Sequence, residues 1–158
     1  MGYYVTLEGN NAYIRKDKLD EAYKILCDLN NQNRLKRGGN GSSFDPAWRE
    51  ANEFGANENV WFSWLDWNYH ETCADAATIL EQLGFELEDD GNGGISFLFY
   101  DNKTGSEDVF IAALAPVLSS DDESAPWFEW RGEDGAHWRQ IVSDGVMKLQ
   151  QPQVTWID

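Results

Sequence analysis

Short runs of aromatic and β-branched residues, cut by Gly, Asp and Pro, fill the last fifth of the chain. They cover residues 127–131, 136–142, 146–150 and 153–157. That punctuation predicts an antiparallel meander of four strands. A sheet of this kind needs an apolar layer to lie on, and the earlier chain supplies helices for it. Leu19, Ala22, Tyr23, Leu26 and Leu29 recur at helical spacing after Asp17. Cys73, Ala76, Ala77, Leu80 and Leu83 do the same, with Thr72-x-x-Asp75 as a loose capping box and Gly84 as the terminating glycine. Phe110, Ala113, Leu114 and Val117 mark a third helix, capped by Ser106 and limited by Pro116.

Further strands precede the meander. Residues 3–7 and 12–15 are expected as a pair joined by the turn Glu8-Gly9-Asn10-Asn11. Residues 85–88 alternate, 89–94 read as a turn, and 95–100 form the most hydrophobic run, expected at the centre of its sheet. The order strand, strand, helix therefore occurs twice before the meander. The pattern predicts an α+β fold in a single domain, residues 1–158. It has a mostly antiparallel sheet of seven to eight short strands and three helices on one side. Residues 34–59 show no periodicity and are dense in glycine, which predicts a long loop.

Composition adds constraints. Apolar residues at 42% and aromatics at 14% exclude general disorder. No run is long enough for a membrane helix, and the first residues lack the basic head and apolar stretch of a signal peptide. Gly2 and Thr6 meet a myristoylation pattern, but the alternation from Tyr3 to Leu7 favours a strand. Cys27 and Cys73 sit on apolar helix faces and read as free buried thiols, which suits the cytoplasm.

Charge is uneven. Residues 1–50 carry eight Lys/Arg and seven Asp/Glu, whereas residues 51–158 carry four and twenty-one, within a formal net charge of -16. Such a field repels nucleic acid and anionic lipid, so direct binding to either is not expected. It serves either to keep the chain soluble or to speed encounter with a protein partner that has a basic surface.

Candidate chemistry is thin. His70, Cys73, His137 and Cys27 offer soft ligands but no second pair for zinc. The acidic turns at 89–92 and 101–108 lack the spacing of a calcium loop. Arg37-Gly38-Gly39-Asn40-Gly41-Ser42-Ser43 lacks the lysine of a phosphate loop, although Arg34, Lys36 and Arg37 form a basic cluster. No cofactor is implied. Across a hairpin turning at Glu133-Asp134, Trp130 and His137 or Glu129 and Trp138 face each other, which allows a Glu129–His137 cross-strand pair, and Arg131 and Arg139 pair with Glu129 or Glu133 as internal counter-ions. Trp61, Trp64 and Trp67 recur every third residue and would share one side of a helical turn.

Three pieces carry a resemblance. They are Lys18-Leu19-Asp20-Glu21-Ala22-Tyr23 with Leu35-Lys36-Arg37-Gly38-Gly39, Trp61-Phe62-Ser63-Trp64 leading to Glu71-Thr72-Cys73, and Trp130-Arg131-Gly132-Glu133-Asp134-Gly135 with Trp138-Arg139. Together they resemble small acidic proteins encoded by phages of actinobacteria. The resemblance implies a non-structural protein that acts in the infected cell by binding a host protein. The expected binding residues are Trp61, Trp64, Trp67, Asp121, Asp122, Glu123, Trp130, Glu133 and Asp134, with nucleic-acid mimicry as one mode. The alternatives are a virion component and an enzyme built on paired carboxylates.

Overall fold

A computed structural model describes residues 2–39, 46–51, 55–121 and 124–157. The strands are β1 (Val5–Asn10), β2 (Ala12–Ile14), β3 (Gly38–Gly39), β4 (Val60–Trp61), β5 (Phe85–Asp89), β6 (Ile95–Asn102), β7 (Leu118–Ser120), β8 (Trp127–Gly132), β9 (His137–Ser143) and β10 (Val146–Gln150). The helices are α1 (Leu19–Leu29), α2 (Pro46–Ala51), α3 (Tyr69–Thr72), α4 (Ala76–Leu83) and α5 (Glu107–Ala113). The fold is α+β with a large antiparallel sheet, as the sequence pattern predicts. Among the described residues that sheet has eight strands, and β3 and β4 form a separate pair.

β6 is the branching point. One of its edges carries β5, and the other carries β1 at Asn102 and Asp101 and β2 at Ser96 and Ile95. From β1 the sheet continues through β8 and β9 to β10, and from β2 it continues to β7. A bulge on β6 opposite Glu86 and Leu87 resets the alternation, so both Phe97 and Tyr100 point inward while Leu98 and Phe99 face water.

The expected hairpin at residues 8–11 is not formed. β1 and β2 run in the same direction along β6 as one kinked strand. The turn-forming residues serve the kink instead. Asn10 donates to the Phe97 carbonyl at 2.9 Å and accepts from the Ala12 amide at 3.0 Å. Asn11 accepts from the Trp127 amide at 2.8 Å and donates to the Ala125 carbonyl at 3.1 Å. Their amide side chains replace ladder bonds that the kink removes.

The meander has three strands, not four. β8, β9 and β10 pair in sequence, and β10 ends at Gln150. Pro152 has no N–H for a ladder, and residues 151–157 are all exposed and unpaired.

Helices cover the inner sheet face. α1 packs against α3, α4 and α5. Ala22 and Leu26 of α1, Ile79, Leu80 and Leu83 of α4, and Phe110 and Ile111 of α5 are all buried. Beneath them lies an aromatic layer: Phe85 against Phe97 at 5.5 Å, Phe97 against Phe128 at 5.1 Å and Tyr100 against Trp130 at 5.8 Å, all edge to face. α4 begins later than expected, because Asp75 rather than Thr72 is its N-cap and accepts from the Thr78 amide at 2.8 Å. Gly84 closes it with φ 119°, where a side chain would collide with Asn102. Pro116 follows α5 in a single 3-10 turn. The long loop is punctuated by a 3-10 turn at Asn33–Leu35, by β3 and by α2. No helix among the described residues is long and apolar enough to cross a membrane.

Candidate functional site

A groove of about 890 Å³ lies between α5, the turn at Trp64 and the face and edge of β9 and β10. Strand alternation builds one wall. Trp138 and Gln140 on β9 and Met147 and Leu149 on β10 face inward, and Met147 and Leu149 lie opposite Val142 and Gln140. On β8 the same face is sealed by helices, so Phe128 and Trp130 are fully buried. Over β10 the cover thins to the 3-10 turn at Ala115–Val117, leaving Trp138 and Met147 half-buried and Leu149 exposed.

Lys148 also lines the groove. Consecutive residues of a strand point to opposite faces, so a groove lined by Met147, Lys148 and Leu149 wraps the open edge of β10. Among the described residues no strand pairs with that edge. The opposite wall is Asp108, Val109 and Ala112 of α5.

The rim carries three cations, Arg37, Lys103 and Lys148. None makes an ion pair among the described residues, whereas Arg131 pairs with Glu8 and Arg139 with Glu129, each at 2.7 Å. Lys103 instead lies 5.6 Å from the Tyr4 ring centroid. Two acids, Glu107 and Asp108, also line the groove. Glu107 is buried beneath Thr104 and Tyr100, whose hydroxyls donate to its Oε2 at 3.3 Å each. Burial pushes its carboxyl above the usual carboxylate range. Gln140 ties wall to floor: it accepts from Trp130 Nε1 at 2.9 Å and donates to the Asp108 carbonyl at 3.0 Å.

Trp64 forms the lip. It is 58% exposed and has φ 78°, the left-handed region that a bulky side chain rarely adopts. Its neighbours hold it there. Phe62 and Leu65 are buried on either side, and the Leu65 amide bonds to the Phe62 carbonyl at 3.0 Å. A strained backbone that presents a tryptophan to water is the kind of feature found at ligand clamps.

The base of this turn is built on a buried lysine. Lys36 Nζ donates to the Asn30 carbonyl at 2.8 Å and to Asn33 Oδ1 at 2.7 Å, and it lies 5.7 Å from the Phe62 ring centroid. No carboxylate pairs with it among the described residues, and burial lowers its pKa to about 8. Asn30 in turn donates to the Trp67 carbonyl at 2.8 Å and contacts His70 Nδ1 at 3.0 Å. The basic cluster read from the sequence is thereby divided: Lys36 is core, Arg34 is exposed, and Arg37 reaches the groove.

The tryptophans expected to share one side do not. Trp61 lies in β4, half-buried against Gly38; Trp64 faces the groove; Trp67 is 40% exposed and does not line it. Trp130 is a correction, since full burial removes it from any binding face. Glu133 accepts from the Tyr4 amide at 2.9 Å, and Asp134 accepts from the Tyr3 hydroxyl and from the Ala136 amide at 3.0 Å, so both hold the chain start to the β8–β9 turn. Asp121 is exposed, and Asp122 and Glu123 lie outside the described residues. The β8–β9 hairpin is one residue out of the expected register: it pairs Glu129 with Arg139, Trp130 with Trp138 and Arg131 with His137. His137 Nε2 also lies 3.3 Å from Glu129.

Among the described residues no group of His, Cys, Asp and Glu could hold a metal ion, and Cys27 and Cys73 are free thiols. Asp89 and Asp90 spend their carboxylates on amides of their own turn, at 2.7 Å to Gly91 and 2.8 Å to Asn92. Among the described residues, acids lie on α1, α4, β5 and the β8–β9 turn.

No protein family matches the chain, and no curated protein or solved structure matches it either.

Proposed function

We propose that this chain is a binding protein that takes an extended segment of a protein partner into the groove beside β10. The observation that carries this is Trp64, exposed and held in left-handed backbone at the groove lip. Around it are the elements of peptide recognition. The open edge of β10 offers main-chain donors and acceptors for an added strand. Trp138, Met147 and Leu149 offer apolar contact, and Arg37, Lys103 and Lys148 offer charge to acids on the incoming segment. The accessory, host-directed role implied by the resemblance is compatible with this reading and rests on that resemblance alone. The acidic body favours a partner whose remaining surface is basic.

The test is capture from lysate on the immobilised full chain, in parallel with Trp64→Ala and with the pair Lys103→Glu and Lys148→Glu, at 0.15 M and 0.5 M salt. Expected is a protein held by the wild type and lost from Trp64→Ala at both salt concentrations. Identical capture by wild type and Trp64→Ala overturns the proposal.

A further inference from the structure

The groove has an apolar wall without an occupant, and the chain carries an apolar segment without a wall. Val154, Trp156 and Ile157 are 78%, 93% and 91% exposed. Exposed large side chains clustered over four residues are unusual in a folded chain and mark contact surfaces. Val154-Thr155-Trp156 alternates as a strand does, and Asp158 follows in sequence. Its chemistry matches the groove: two bulky side chains for Trp138, Met147 and Leu149, and an acid for the Lys103 and Lys148 rim.

The segment does not occupy the groove of its own chain. That groove lies back along β10, between Met147 and Gln151. Gln151 is held extended by the proline that follows, Pro152 fixes its own φ, and no turn occurs between residues 151 and 157. Gln151 borders the groove, whereas Pro152 and Gln153 line a separate cleft with Glu129, His137 and Arg139.

We infer that the groove's occupant is the 153–157 segment of a second copy of this chain, exchanged reciprocally between the two. This deepens the proposed function and rests on the same reading of the groove as a cleft for an extended segment. Two copies related by a two-fold axis each present one groove and one segment, so the contact closes on itself as a dimer. In each half, residues 153–157 add to the open edge of β10 and bury Trp156 beside Trp64.

The experiment is sedimentation velocity of the full chain over a concentration series, on wild type, Leu149→Glu and Trp156→Glu. Both substituted side chains are exposed, so both variants fold. Expected is a concentration-dependent wild-type dimer that each variant weakens by at least about tenfold. An equimolar mixture of the two variants regains a heterodimer of intermediate affinity, because one intact groove then meets one intact segment. A wild-type monomer throughout, or a dimer indifferent to Trp156→Glu, overturns the inference. A dimer weakened by Leu149→Glu alone is edge-to-edge pairing of β10 and overturns it equally. The two proposals fail separately: a monomeric chain that still captures a foreign protein through Trp64 leaves the binding function standing. A dimer that captures nothing leaves only the exchange.

Discussion

Replacing Lys36 by methionine tests the buried lysine at the base of the groove lip. Lys36 is fully buried, and burial lowers its pKa from 10.5 to about 8. Below pH 8 the ammonium is protonated in both folded and unfolded chains, and its desolvation is a constant cost. Between pH 8 and 10.5 the folded chain has released the proton and the unfolded chain has not. The unfolded state then binds more protons, so stability rises with pH across that window. At 1.36 kcal/mol per unit, the shift corresponds to about 3 kcal/mol. Lys36→Met removes the titration. It also strands the Asn30 carbonyl and Asn33 Oδ1, at about 1–3 kcal/mol each, and that loss does not depend on pH. The assay is urea unfolding followed by tryptophan fluorescence, for both proteins, from pH 7 to 10.5. Titrations shared by the two cancel in the difference. The expected result is that wild type gains about 3 kcal/mol on Lys36→Met over this range. A difference that stays constant with pH refutes the reasoning, because the ammonium would then be solvated or paired.

Glu107 gives the complementary case. Its folded-state pKa is raised, so ionised Glu107 destabilises the fold, and stability falls as pH rises from the unfolded value through the folded one. Glu107→Gln should be the more stable protein at pH 7, and melting curves should converge below about pH 4. Gln140→Leu leaves Trp130 Nε1 and the Asp108 carbonyl without their partner and should cost about 1–3 kcal/mol in chemical denaturation. Asp75→Ala removes the α4 cap and should cost about 1 kcal/mol by the same measurement. Trp64→Gly relieves the left-handed strain, so its stability should stay within about 1 kcal/mol of wild type while partner capture is lost.

The fold was legible where side-chain periodicity alone sets the structure. The inner faces of α1, α4 and α5, the central place of β6 and the β8–β9 hairpin all follow from spacing and turn residues. Asn10 and Asn11 misled because the chemistry that closes a turn also patches a kinked strand. Which of the two forms depends on β6 and β8, far away in the chain. Residues 153–157 have strand propensity, but a strand needs an edge to pair with, and local sequence does not say whether the edge is reached. Trp130 and Trp64 look alike in sequence. Helices overlie one, whereas backbone strain turns the other to water. The groove gathers Arg37, Lys103, Lys148 and Trp64 from four separate stretches, so no motif announces it. One signal was available: beyond residue 50 there are four cations, and pairing Arg131 and Arg139 internally leaves Lys103 and Lys148 to be explained.

The kinked strand at the chain start has a consequence for the order of assembly. Val5 pairs with Asn102 on one side and with Gly132 on the other. During synthesis its first partner emerges after nearly a hundred residues and its second about thirty residues later. The β8–β9–β10 meander, by contrast, needs only its own neighbours. β1 is thus translated well before either of its partners and is among the last strands to find its place, and the loop closures it requires set the pace of folding. Until then, β6 and β8 each hold an open edge toward the gap that β1 will fill.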